Sequence, residues 1–378
     1  MKESTLKDLT LNITDGKHGD CEGQDNSGYY FISCKDVHDG QIYYEGARQI
    51  TEKDYIDTHE RTQLEPNDIL ITNSGTIGRM AFIKETPLVY RTTFQKSVAI
   101  VKPNPDLIYP LYLYYQLQNC VAQFINSSNG SAQKNLLLST MRAFKIKYHS
   151  DFSIQHRIAS ILSAYDDLIE NNRKQIKLLE EAAQRLYKEW FVDLHFQGWE
   201  ETKIVDGLPE GWRKAVVTDL LTIKYGKDHK KLDDGDIPVY GSGGIMRKVK
   251  PVLYSGESVL IPRKGSLNNI LYVTGDFWTI DTMFYSIPKT ENIAKYAYLF
   301  LKTLDMYSFN IGAAVPSMTT KILNGISVLY PSDNTLQLFE KQLKPLFDMR
   351  DVLNKQNEAS QHARDRLLPK LMSGELEV

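Results

Sequence analysis

The chain has 378 residues, 42% hydrophobic and 24% charged, with a formal net charge of −2. That balance suits a soluble protein with two or three cores and excludes a disordered chain. The opening residues, Met1 to Lys7, lack an apolar signal-peptide core, and the stretches around Leu107 to Leu117 and Ile293 to Leu301 are too short and polar to span a bilayer, so a cytoplasmic protein with no membrane association is expected.

In chain order, Asp8-Leu9 and Gly16-Lys17 come first. Runs bounded by turn residues predict strands at Ile69 to Thr72 and Ser97 to Val101. Between them lies a loop from Thr72 to Arg79. Its small residues allow close backbone approach, while Asn73, Ser74, Thr76 and Arg79 carry groups suited to base edges or phosphates. A compact helix is expected near Tyr112 to Phe124, followed by a polar loop with Gln133, Lys134 and Asn135. Asp151 and Ser153 are good helix caps. After them Ile158, Tyr165, Asn172, Leu179 and Leu186 recur every seven residues, as do Leu162, Ile169, Ile176, Ala183 and Trp190. That is a coiled-coil stripe with a polar interruption at Asn172 and Gln175.

The order then repeats. Basic residues gather at Lys227, Lys230 and Lys231, strands are expected at Val259 to Ile261 and Ile270 to Val273, and the loop between them carries Arg263, Lys264, Asn268 and Asn269. A compact helix near Tyr296 to Leu304 leads to a loop with Ser317, Thr319 and Lys321. The final stripe is Phe339, Leu346, Leu353, Ser360 and Leu367, with Leu343 and Leu371 beside it and Gln356-Asn357 in its middle. The two long helices are natural mutual partners, packing through Ile158, Tyr165, Leu179, Leu186 and Trp190 on one and Phe339, Leu346, Leu353 and Leu367 on the other. The alternative is that each packs only on its own half.

The recurrence is an internal repeat. Asn129-Gly130-Ser131-Ala132 aligns with Ile311-Gly312-Ala313-Ala314, and Tyr148-His149-Ser150-Asp151 aligns with Tyr330-Pro331-Ser332-Asp333. The expected architecture is α+β: two similar domains of mixed strands and short helices, residues 1–149 and 198–331, separated by two long helices, residues 150–197 and 332–378, that form an antiparallel coiled coil.

Catalytic signatures are missing. There is no Pro-Pro dipeptide for a base methylase loop, no Walker phosphate loop, no His-Glu-x-x-His and no Gly-x-Ser-x-Gly. Cys21, Cys34 and Cys120 are odd in number and never spaced Cys-x-x-Cys, so they read as small buried residues. His149 and His156 flank a helix start, where a surface role is expected. Asp15-Gly16-Lys17 and Asp228-His229-Lys230 fit a nuclease triplet that composition alone also produces, and no metal site is expected. Binding remains. The acidic net charge argues against a nucleic-acid partner unless charge is segregated, as the lysine cluster near Lys227 and Arg247-Lys248-Val249-Lys250 suggest. The candidate DNA-binding residues are Lys17 with Lys227, Lys230 and Lys231, and the loop residues named above. Each is also compatible with a plain turn, so the case rests on equivalent loops recurring with different side chains. The alternative of another class is a protein-interaction scaffold without DNA, built from a duplicated module.

The segment Arg185 to Asp193, Leu208-Pro209-Glu210-Gly211-Trp212, Gly312-Ala313-Ala314-Val315-Pro316-Ser317 and the segment Ala363 to Leu376, in that order, resemble the specificity subunit of type I restriction-modification systems. The resemblance covers nearly the whole chain. It implies two target-recognition domains on an antiparallel helical pair, each reading half of an interrupted double-stranded DNA site, and no catalysis in this chain. It also implies partners: two modification subunits with S-adenosylmethionine, and restriction subunits with ATP and Mg2+. The first half departs from the pattern, since it lacks the Leu-Pro-x-Gly-Trp opening and has Ala132-Gln133-Lys134 in place of Ala-Val-Pro.

Overall fold

The computed structural model describes residues 1–128, 135–312 and 314–378. The chain divides into two compact units, residues 1–171 with 356–378 and residues 172–355, so the division falls within both long helices.

In the first unit, β-branched and aliphatic residues form a four-stranded sheet in the order Thr10–Asp15, Val98–Pro103, Ile69–Thr72 and Met80–Phe82, each neighbour antiparallel. Ile69, Leu70 and Ile71 are all fully buried, because one face of the strand joins the core beneath Tyr112 and Leu113 and the other a second core around Phe94 and Val98. Lys2–Thr5 pairs antiparallel with Lys145–Tyr148, and Tyr30–Ile32 pairs parallel with Thr92–Phe94.

The second unit repeats this frame. Its sheet runs Leu221–Tyr225, Met283–Pro288, Ser258–Pro262 and Leu271–Val273, again antiparallel throughout. Arg213–Val216 pairs antiparallel with Ser327–Tyr330, and Asp234–Gly241 pairs parallel with Asp276–Thr279. The duplication read from sequence is thus a duplication of topology. What differs is the outer part: the first unit inserts the helix Glu52–Thr62, and the second a hairpin of Asp234–Gly241 and Gly244–Val249.

The compact helices span Pro110–Asn119 and Ile293–Lys302. The first is shorter than expected because the chain leaves helical geometry at Cys120 and restarts as Val121–Asn126. The long helices span Phe152–Phe191 and Asp333–Ser373. Asp151 caps the first by accepting from the Ser153 amide at 2.7 Å, and the Ser332 hydroxyl caps the second at the Thr335 amide, 3.2 Å away. Each is about 60 Å long at 1.5 Å per residue.

Within the first unit the start of one long helix meets the end of the other: Ile158, Ala159 and Leu162 share a core with Leu371 and Met372, and Arg364 bonds Asp166 at 2.5 Å. Within the second unit the end of the first helix meets the start of the second through Tyr187, Trp190 and Phe191 against Phe339 and Leu343. Both sets of contacts run antiparallel. Ile158, Trp190, Phe339 and Leu353 are buried, while Tyr165, Leu179, Leu186, Leu346 and Leu367 are half-buried. Tyr187 and Phe191 lie off the predicted stripe because they pack on the globular core of their unit, against Tyr296 and Trp212. Mid-helix, Asn172 and Asn357 are buried, whereas Gln175 and Gln356 are exposed.

Candidate nucleic-acid interface

Three segments converge at one end of the sheet in each unit, and they correspond one to one. In the first unit the Lys17 amide donates to the Phe94 carbonyl, the Asn73 amide to the Ser97 carbonyl, and the Leu136 amide to the Asn73 carbonyl, while Ser74 and Asn135 form an isolated antiparallel bridge. In the second, the Lys227 amide donates to Thr279, the Arg263 amide to Thr282, and the Met318 amide to Arg263, while Lys264 and Ser317 form the matching bridge. The loops that sequence set side by side are therefore brought together in space.

Glycines explain why both backbones can make these matching bonds. A Cβ on Gly16 would lie 1.9 Å from the Phe94 carbonyl oxygen, and one on Gly226 would lie 2.0 Å from that of Ile280. Gly75 and Gly265 both have positive φ, +77° and +86°, which a side chain disfavours. Against Gly75 stands the Cys34 thiol, and against Gly265 the Ser242 hydroxyl.

On this shared frame the side chains differ. Arg79 and Thr76 are exposed, and Arg79 has no ion-pair partner among the described residues. Lys264, Lys227, Lys230, Lys231 and Lys321 are exposed on the second unit. Arg263 is placed firmly: its guanidinium sits 5.3 Å from the centre of the Tyr225 ring and donates to the Asp281 carbonyl at 3.2 Å. Tyr225 is 52% exposed, so this cation–π stack faces solvent. The second unit therefore presents a stacked guanidinium beside an exposed ammonium.

Several predicted contacts are committed elsewhere. Lys17 bonds Asp57 at 3.0 Å and lies 3.6 Å from Asp54, which neutralises it; the Asp57 bond holds its ammonium above the usual lysine range. Asn73 is buried, with its amide oxygen lacking a partner among the described residues. Thr319 caps the short helix Thr320–Asn324 by accepting from the Ile322 amide. Asn268 spans the Asp305 carboxylate and the Met306 amide, and Asn269 donates to the Ser242 carbonyl at 2.8 Å. Ser317 is half-buried, its amide held by Asn310 at 2.8 Å. Ser74 is half-buried and Asn135 exposed. Gln133 and Lys134 lie outside the described residues.

Tyr225 and Asn310 were not singled out from sequence. Tyr225 could have been found by setting the two Gly-Lys turns together, since Asp15 precedes one and Tyr225 the other. Asp15 is buried against Arg61 and His18, so the same position serves structure in one unit and surface chemistry in the other. Asn310 accepts from both the Gly312 and Ser317 amides at 2.8 Å and closes the turn between them.

Of the cysteines, Cys21 and Cys120 are buried and Cys34 half-buried, all free. His149 does more than sit at a surface: its ring contacts the Leu371 carbonyl at 3.3 Å, and His156 stacks on Tyr109 at 3.7 Å. Among the described residues no three His, Cys, Asp or Glu side chains converge as metal ligands, and no helix is long and apolar enough to cross a membrane.

A family model described as "Type I restriction modification DNA specificity domain" matches residues 1–181 and 209–360. Among curated proteins, the chain is 28% identical to the type I restriction enzyme MjaIX specificity subunit of Methanocaldococcus jannaschii, over 92% of this chain and 87% of that one. It is 30% identical to the EcoBI specificity subunit of Escherichia coli over 38% of this chain and 30% of that one. Among solved structures, the S subunit of a type I restriction-modification system from M. genitalium matches with a TM-score of 0.54 at 18% identity, covering 98% of this chain and 96% of that one, which is a likeness of fold.

Proposed function

The chain belongs to the type I restriction-modification DNA specificity family, and from that premise we propose that each unit reads one half of an interrupted double-stranded DNA site while the chain itself catalyses nothing. The observation that carries this is the recurrence of the three-segment convergence with unlike side chains: an exposed Arg79 in the first unit, and the Arg263–Tyr225 stack with Lys264 in the second. One frame presenting two chemistries is what two different half-sites require.

Exposed ammonium groups bind phosphate without sequence preference, whereas a guanidinium fixed in orientation can grip guanine through two parallel bonds. Lys227, Lys230, Lys231 and Lys321 take the first role and Arg263 the second. Methyl transfer then falls to two modification subunits carrying S-adenosylmethionine, and cleavage to restriction subunits using ATP and Mg2+, all in the cytoplasm. The chain's own sequence lacks the loops those reactions need.

Fluorescence anisotropy with random duplex DNA, with and without a modification subunit, tests the reading. Binding whose affinity falls steeply with salt is expected. No binding in any complex would instead indicate a scaffold for proteins alone.

A further inference from the structure

Next to the cationic loop of the second unit stands the hairpin of Asp234–Gly241 and Gly244–Val249. Its tip exposes two large apolar side chains, Ile245 at 54% and Met246 at 56%. The pairing is irregular here, Val239 facing Arg247 and Tyr240 facing Ile245, so Met246 is an extra residue that interrupts the strand's alternation, and both side chains are open to solvent. The base of the hairpin is rigid. Val239 and Val249 are fully buried, and Arg247 donates to the Leu232 carbonyl and the Asp234 carboxylate at 2.9 and 2.5 Å. The tip is tied to the cationic loop by the bond from Asn269 to the Ser242 carbonyl and by the close approach of Ser242 to Gly265.

We propose that this hairpin tip is a second specificity element of the unit, with Ile245 and Met246 meeting thymine methyl groups in the major groove of the half-site that the unit reads. The proposal rests on the DNA-recognition reading above. A two-stranded ribbon fits the major groove, about 12 Å wide, where the C5 methyl of thymine is the apolar mark available to an apolar side chain. Charge selects DNA as the occupant: the tip is followed by the exposed Lys248 and adjoins Arg263 and Lys264. In the first unit Cys34 stands against Gly75 as Ser242 stands against Gly265, and the short hairpin after it turns at Asp39 and Gly40 beside the polar pair His38 and Gln41. Thymine reading of this kind therefore belongs to the second unit.

The test uses the chain with its modification subunit, on the site defined by sequencing methylated DNA. Each thymine of the second half-site is replaced in turn by uracil, which removes only the methyl group, and binding is followed by anisotropy. One or two replacements are expected to weaken the wild-type complex about threefold to tenfold, the scale of one methyl buried from water. The Ile245→Ser/Met246→Ser variant should bind the thymine duplex correspondingly less tightly and be indifferent to uracil, with unchanged thermal unfolding and unchanged reading of the first half-site. Wild-type binding that ignores every uracil, or a second half-site without an A·T pair, would overturn the proposal. A complex that binds no site with a steep salt dependence would overturn the underlying DNA reading and the hairpin assignment together.

Discussion

Lys17 and Lys227 occupy the same Gly-Lys turn, yet the first is locked to Asp54 and Asp57 and the second is exposed. Sequence shows the turn but not the carboxylates that a distant helix brings to it, so it could not tell that Lys17 is paired or that Thr319 caps a helix. The exposed cations are the better candidates. Arg79→Ala and Lys264→Ala are each expected to weaken site-specific binding by about 1 to 3 kcal/mol where the side chain meets a base. A phosphate contact would give equal loss on all sequences and a shallower salt slope, and unchanged affinity for both would move the DNA surface elsewhere. A second residue-level expectation concerns the strand that leads into the Asn73 loop. Burial pushes the Asp68 carboxyl up to about 6, against the pull of the Lys102 ammonium 2.8 Å away. That lies above the roughly 4 of a free side chain, so the folded state holds the proton more tightly than the unfolded state does. The stabilisation is complete below about pH 4 and is lost as pH rises through about 6. Measured against Asp68→Asn, which has no such titration, wild-type stability in urea should fall by about 2 kcal/mol between pH 4 and 7; a rise would mean that Lys102 keeps the carboxylate charged.

Among the elements, the heptad pattern located both long helices, whose starts lie within two residues of those expected while their ends, Phe191 and Ser373, fall short of 197 and 378. It missed Tyr187 and Phe191, which answer to the globular core and not to the helical partner. Pairwise chemistry between elements was invisible. Lys295, on the compact helix of the second unit, is 7% exposed, lies between Glu340 at 2.5 Å and Glu257 at 3.2 Å, and sits over the rings of Tyr272 and Phe347. Burial raises the Glu340 carboxyl despite that lysine. Lys295→Met leaves the half-buried Glu340 without its partner and should cost about 2 to 3 kcal/mol in thermal or urea unfolding, whereas Lys295→Met with Glu340→Leu should cost much less. Equal losses in the single and double variants would show that the pair does not join the compact helix to the long one.

At the scale of the whole molecule, the net charge is −2, and exposed Lys227, Lys230, Lys231 and Lys264 of the second unit stand with exposed Asp228, Asp233, Asp234 and Asp236 close by in sequence, so DNA binding rests on local cations and not on a basic face. The repeat was legible because its glycines and strand runs are conditions of one backbone; the hairpin and the Glu52–Thr62 helix were not, because they are what the two copies do not share. The central claim is that the units read independently. Replacing residues 1–149 by the first domain of another family member keeps the helix residues Ile158, Leu162, Leu371 and Met372 on which that domain packs. Sequencing of methylated sites in cells carrying this hybrid with its modification subunit should show one half-site changed and the other retained; a change in both halves, or in neither, would contradict independent reading.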